Sequence, residues 1–320
     1  MPGFDLINEY SLENIPFLFI IDFNRNNIIV IPLEELNSNE ILFDVNGYSN
    51  CQPALHKPAE IKFEKHPPSF DKYLNGFNKV QHHIRAGNTY LLNLTFRSPV
   101  LTNLTLDEIF LHSSAKFRLL YKDKFVVFSP ETFIIIKGNS IFTYPMKGTI
   151  DAGIPNAEQI ILADKKEHAE HATIVDLLRN DLSIVAKNVT VNRFRYIDKV
   201  VTPGKNLLQV SSEIAGTLRN EYRGRFGDIL SLLLPAGSVT GAPKKKTVEI
   251  IRETENYDRG FFTGVFGIYD GSKLESGVMI RFIENDNGNL YFKSGGGITS
   301  FSDPRKEYDE LVDKIYLPVV

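Results

Sequence analysis

The chain has no tryptophan, one cysteine and three methionines in 320 residues. A lone thiol, Cys51, excludes an internal disulfide and any zinc site built from several cysteines, and it suits a reducing cytosol. Long hydrophobic runs are missing as well. The longest near the N-terminus, Ile15 to Ile21, is too short to span a bilayer, and no basic stretch precedes it. Charge of one sign is not in excess: 36 basic against 39 acidic residues leave a net charge of −3, which recommends neither nucleic acid nor an anionic membrane as partner. Nucleotide loops are absent too. Neither Gly-x-x-x-x-Gly-Lys-Ser/Thr nor Gly-x-Gly-x-x-Gly occurs between a strand and a helix. No repeat or low-complexity tract is present. What remains is the composition of a cytoplasmic globular protein, 42% apolar and 23% charged, long enough to bury a substantial core.

The hydrophobic pattern predicts an α+β chain with mainly antiparallel strands. The first 60 residues read as short strands and turns, with strands at 17–22 and 27–32. Residues 54–68, rich in Pro, Lys and His, read as a connecting loop. Helical spacing of Tyr73, Phe77, Val80 and Ile84 predicts a helix over 70–86, stopped by Gly87. Strands are expected at 90–96, 117–121, 125–129 and 132–137. Asp164 as N-cap with Glu167 three residues on predicts a helix over 165–182. Another is expected over 243–255. Strands at 264–270, 277–284 and 289–293 follow, separated by Asn/Asp/Gly turns, and Pro304 opens a last helix.

Several constellations carry chemical potential. Residues 235–244, Pro-Ala-Gly-Ser-Val-Thr-Gly-Ala-Pro-Lys, hold two glycines, Gly237 and Gly241, with the hydroxyls of Ser238 and Thr240 and the charge of Lys244. That is either a cradle for a small anion before a helix or an ordinary turn. Glu167 and Glu170 fall three apart on the stripe that also carries Ile174 and Leu177, so two carboxylates share the core-facing side of their helix. Glu307 and Glu310 repeat the spacing near the C-terminus. Two such helices facing one cavity would suit a hard divalent cation; facing outward, they are solvated acids. Gly295, Gly296 and Gly297 offer backbone N–H groups to an anion or form a strand-end turn. Lys147 stands in Tyr-Pro-Met-Lys-Gly-Thr149: solvated it is a surface charge, buried and neutral it is a nucleophile. Glu131, in Ser-Pro-Glu131, becomes a general acid if its pKa is raised. Arg281 offers a fork for a carboxylate.

In this order the blocks resemble the chorismate-utilising enzymes, which include the anthranilate, aminodeoxychorismate, isochorismate and salicylate synthases. The resemblance rests on Ser-Pro-Glu131, Pro-Met-Lys-Gly-Thr149, Ala-Glu-His171 with Val-Asp-Leu-Leu-Arg-Asn-Asp-Leu182, residues 235–244, Arg-Gly-Phe-Phe-Thr-Gly264, Ile-Arg281, and Gly-Gly-Gly-Ile298 with Glu-Tyr-Asp-Glu310. It covers residues 70–316, so the whole chain, 1–320, is expected to be one chorismate-binding catalytic domain with a shortened N-terminal part, 1–69. The resemblance implies two large antiparallel sheets packed together with helices outside. It implies Mg²⁺ held by Glu170 and Glu310, supported by Glu167 and Glu307. Arg281 and the backbone of Gly295, Gly296 and Gly297 would hold a substrate carboxylate, and Gly148, Thr149 and Thr240 would line the ring site.

Branches of the family differ at one position, where anthranilate synthases read Pro-Ile-Ala-Gly-Thr and the aminodeoxychorismate branch Pro-Ile-Lys-Gly-Thr. Lys147 fits the second, which forms 4-amino-4-deoxychorismate through a covalent lysine adduct with Glu131 as acid/base group. In that reading burial and the nearby cation lower the pKa of Lys147. The alternatives are anthranilate synthase or another chorismate converter, and an inactive chorismate-binding subunit. No amidotransferase module surrounds Cys51, so ammonia is expected from a separate glutamine amidotransferase subunit. Gln209 stands where many relatives have His, and Phe262 where Tyr is common. The short N-terminal part carries no expectation of tryptophan regulation.

Overall fold

The computed structural model describes residues 1–52, 60–202 and 205–319. Their helices are α1 (Pro2–Glu13), α2 (Phe70–Arg85), α3 (Leu106–His112), α4 (Ala157–Ala163), α5 (Lys165–Val185), α6 (Phe226–Leu233), α7 (Gly237–Thr240), α8 (Lys244–Thr254) and α9 (Pro304–Asp313). The described strands form two nine-stranded antiparallel sheets. The first runs Met146–Asp151, Lys205–Leu218, Ser140–Thr143, Thr132–Lys137, Lys273–Val278, Val265–Tyr269, Phe17–Ile21 and Ile28–Pro32, with Ala186–Thr202 also paired to Lys205–Leu218. The second runs Gly241–Ala242, Leu91–Thr102, Asn289–Thr299, Phe282–Asp286, Phe125–Ser129, Phe117–Tyr121, Ile41–Val45 and Tyr48–Ser49, with Phe63–Lys65 also on Leu91–Thr102.

Side chains alternate across a strand, so a strand that is apolar at every position must be covered on both faces. Phe17–Ile21 is buried throughout. Its Leu18 and Ile20 enter a layer between the sheets, where Phe43, Phe117, Phe125, Phe266 and Phe282 meet. Its Phe17, Phe19 and Ile21 face outward to α1, α5 and α6. In the second sheet Phe125 and Val127 point into the shared layer, while Val126 and Phe128 pack outward under α2, α3, α8 and α9. The result is helices, sheet, sheet, helices. Fully buried Phe266 belongs to the shared layer, and its truncation to Ala is expected to cost about 3–5 kcal/mol.

The expected fold class is the one observed, and most expected elements lie within a residue or two of their places. Four readings need correction. The strand expected over 277–284 is two strands, Lys273–Val278 in the first sheet and Phe282–Asp286 in the second, because Met279 to Arg281 cross between the sheets. Residues 2–13 are helical rather than extended: Pro2 sits in the first turn, and Phe4 and Ile7 bury one face. The long hairpin of Ala186–Thr202 and Lys205–Leu218 was not anticipated. Part of the expected loop, 54–59, lies outside the described residues, while Phe63–Lys65 within it is a short edge strand.

Candidate active site

Two crossings between the sheets are stitched together. Pro130 and Glu131 lead from Phe125–Ser129 in the second sheet to Thr132–Lys137 in the first. Met279 to Arg281 lead back from Lys273–Val278 to Phe282–Asp286. The Val278 N–H donates to the Glu131 carbonyl at 3.0 Å, and the Phe128 N–H donates to the Arg281 carbonyl at 3.1 Å. Topology thus sets Glu131 beside Arg281, whose backbone takes a left-handed φ of 55°. Burial pushes the Glu131 carboxyl up; a hydrogen bond donated by the Ser238 hydroxyl and the charges of Arg281 and Lys314 oppose this without cancelling it. The Arg281 Nε is buried without a partner. A buried guanidinium nitrogen left unpaired is costly, and an incoming carboxylate would satisfy it.

The second group of charges comes from α5, α9 and the edge strand Met146–Asp151. Asp164 caps α5 by accepting from the Glu167 N–H at 2.9 Å. Asp303 caps α9 by accepting from the Arg305 and Lys306 N–H groups at 3.0 and 2.9 Å. These caps fix the first turns of both helices, and the glutamates follow directly. Lys147 Nζ lies 2.8 Å from Glu170 Oε2. Lys314 Nζ lies 2.7 Å from Glu310 Oε1 and donates to the Gly295 carbonyl at 2.8 Å. Lys166 Nζ lies 3.6 Å from Glu170 Oε1 and 3.7 Å from Glu307 Oε1. Gly148 and Gly296 face this cluster: a Cβ on Gly148 would sit 3.0 Å from Glu167 Oε2, and one on Gly296 3.7 Å from Glu307 Oε2 and from Lys314 Nζ. A side chain at Gly148 would crowd the cluster and meet a left-handed φ of 87°, whereas a Cβ at Gly296 makes ordinary contact.

Environment divides these groups. Burial alone would raise Glu310, but Lys314 and Lys147 beside it bring its pKa down to about 2. Burial raises Glu167 and Glu307. Burial also favours loss of the Lys147 proton, yet Glu170, Glu310 and Glu167 outweigh it and hold Lys147 firmly as the ammonium. The expected lowering assumed a bound cation beside the amine; without one, the contact with Glu170 and the fields of Glu310 and Glu167 prevail.

The donor set is one a hard divalent cation takes, and Glu167 Oε2 and Glu170 Oε1 are buried without a hydrogen-bond partner. No three acidic, histidine or cysteine side chains among the described residues form a ready ligand group. Ammonium groups stand between the carboxylates instead.

Other sequence-derived candidates are placed differently. The Thr149 hydroxyl, exposed, donates to Gln209 Oε1 at 2.8 Å, and Gln209 Nε2 donates to the Gly148 carbonyl at 2.8 Å. Gln209, in the place of a family His, therefore braces the Lys-Gly-Thr strand. Thr240 is fully buried and turns its hydroxyl to the Ala236 carbonyl at 3.0 Å. Phe262 packs 5.9 Å from the Phe282 ring in the apolar layer. The glycines of 235–244 admit protein rather than ligand: a Cβ on Gly237 would lie 2.6 Å from Asp181 Oδ2, and one on Gly241 1.7 Å from the Leu91 carbonyl. Lys244 pairs with Asp181 at 3.0 Å. Of that segment Ser238 alone is seen to reach a catalytic candidate, Glu131. Lys314 was missed from sequence, although its place four residues after Glu310 on one helical face was a usable signal.

Residues 30–319 match the family described as chorismate binding enzyme. An uncharacterized PabA-like protein of Haemophilus influenzae is 48% identical over 98% of this chain and 95% of its own length. Aminodeoxychorismate synthase component 1 of Bacillus subtilis is 32% identical over 78% of this chain and 55% of its own length. The fold is that of the menaquinone-specific isochorismate synthase of Escherichia coli, with a TM-score of 0.73 over 96% of this chain and 78% of that one at 15% identity. With fold and sequence in agreement, the chain belongs to the chorismate binding enzyme family.

Proposed function

We propose that this protein is a cytoplasmic component I of an aminodeoxychorismate synthase, which replaces the C4 hydroxyl of chorismate with an amine to give 4-amino-4-deoxychorismate and water. One observation carries the reading: Lys147 lies within the four-glutamate cluster, in contact with Glu170 at 2.8 Å, instead of projecting into solvent. The Bacillus subtilis relative supports the same branch. An anthranilate synthase component 1 of Archaeoglobus fulgidus, 31% identical over 86% of this chain, makes that reaction the second reading.

Chorismate is a dicarboxylate. Arg281, with its unpartnered Nε, and Lys314 would bind one carboxylate near the Gly295–Gly297 backbone. Glu170 and Glu310, backed by Glu167 and Glu307, would hold Mg²⁺. When bound, the cation would take the ring carboxylate and offset the negative charge around Lys147. The neutral Lys147 amine then bonds to C2, the ring double bonds shift, and the C4–O bond breaks. Glu131, whose burial favours the protonated form, gives its proton to the departing hydroxyl, which leaves as water. Ammonia bonds to C4 and returns a proton to the Glu131 carboxylate, the C2–N bond breaks, and Lys147 leaves with the electron pair as its amine. A glutamine amidotransferase subunit would supply the ammonia.

The test is to incubate the purified chain with chorismate, Mg²⁺ and ammonium chloride and to identify the product by mass and absorbance. The reading requires 4-amino-4-deoxychorismate. Anthranilate with pyruvate would select the second reading, and no turnover with any ammonia source would refute both.

A further inference from the structure

Lys166 is the cation of this cluster that neither the sequence pattern nor the proposed chemistry uses. It lies on the first turn of α5, next to Glu167. Lys147 and Lys314 each make one short ion pair, at 2.8 and 2.7 Å. Lys166 instead stands 3.6 Å from Glu170 Oε1 and 3.7 Å from Glu307 Oε1. Among the described ion pairs it alone joins a glutamate of α5 to one of α9. Both separations are too long for hydrogen bonds, so the ammonium is held by charge without a fixed donor geometry. Glu170 Oε1 is left buried with no hydrogen bond, and the Lys166 side chain is 45% exposed. A long, flexible, half-exposed lysine can withdraw into water with little loss of packing. Charge balance points the same way. At full ionisation the four glutamates against Lys147 and Lys314 leave two negative charges, which one divalent cation neutralises.

Resting on the cation reading above, we infer that Lys166 is the displaceable resident counter-ion of the glutamate cluster: its ammonium bridges α5 and α9 and leaves when a divalent cation enters. It holds Glu170 and Glu307 together beforehand, and its departure is a cost that weakens cation binding.

The experiment is a calorimetric titration of Mn²⁺ into the wild-type chain, Lys166→Met and Lys165→Met, each also melted with and without Mn²⁺. Lys165 is exposed and carries the same charge one residue away, so its variant reports general electrostatics. Lys166→Met is expected to bind Mn²⁺ about tenfold tighter than wild type. It should melt at a lower temperature than wild type without the cation and match it at saturation, while Lys165→Met stays near wild type throughout. An unchanged or weaker affinity in Lys166→Met, with wild type binding normally, overturns the inference and leaves the cation reading intact. Equal tightening in Lys165→Met also overturns it. If the wild-type chain takes up no Mn²⁺, the cation reading fails and takes this inference with it.

Discussion

Glu310 and Glu131 are the same residue type in two regions of one site, and their surroundings push them apart. Glu310, on α9, is drawn down to about pKa 2 by the ammonium groups of Lys314 and Lys147 against the pull of burial. Glu131, on the crossing between the sheets, is raised because burial outweighs the Ser238 hydroxyl and two more distant cations. Lys314 belongs to both environments, since its charge acts on each carboxyl. The contrast assigns roles: a carboxylate kept ionised suits cation binding, and a carboxyl shifted toward its protonated form suits proton donation.

The sharpest way to break the comparison is to remove the group that reacts between them. Lys147→Ala should cost on the order of 10⁴-fold or more in amination rate, the scale of losing a nucleophile. Amination at the wild-type rate in steady-state assays would end the covalent role. Next in size, Glu131→Gln should lower kcat by about 10²–10⁴-fold and abolish the high-pH fall of activity. The same variant tests the environment through stability. A carboxyl whose folded pKa is raised contributes stability that is present below its unfolded pKa and lost as pH rises through the folded value. Glu131→Gln should therefore melt increasingly above wild type as pH rises, and near it in acid. A parallel pair of melting curves across pH would contradict the raised value.

On the ionised side, Glu307→Gln should weaken Mn²⁺ binding by about 10–100-fold in calorimetry, as loss of a supporting carboxylate does. The smallest effect is expected from Ser238→Ala. Its hydroxyl favours the ionised form of Glu131, so losing it should move the high-pH limb of kcat/KM upward by about one unit, with KM little changed. A shift in the other direction would mean that Ser238 stabilises the protonated form.

What was legible in the sequence follows the same division. The glutamate pairs could be read because both members lie one turn apart on a single helix, where spacing dictates the face. Lys147 could be read because its neighbours match the family block and the residue at that one position differs between branches. Alternation of apolar residues gave the strands, and Asp164 gave the start of α5. The bond from Ser238 to Glu131 spans 107 positions, and no local pattern encodes it. The glycines of 235–244 leave a ligand cradle and an ordinary turn equally open, because sequence shows permissiveness without showing what fills the space; Asp181 and Leu91 fill it. The short contact from Lys147 to Glu170 joins a strand to a helix, and no local pattern encodes it either.

The account rests on a covalent lysine, and one measurement addresses it directly. The chain is mixed with chorismate and Mg²⁺ without ammonia, quenched, digested, and the peptide containing Lys147 is weighed. The account predicts an adduct on Lys147 with the mass of chorismate less one water, which disappears when ammonium is added and product forms. Product formation on addition of ammonium, with Lys147 unmodified at every time before it, would contradict the account.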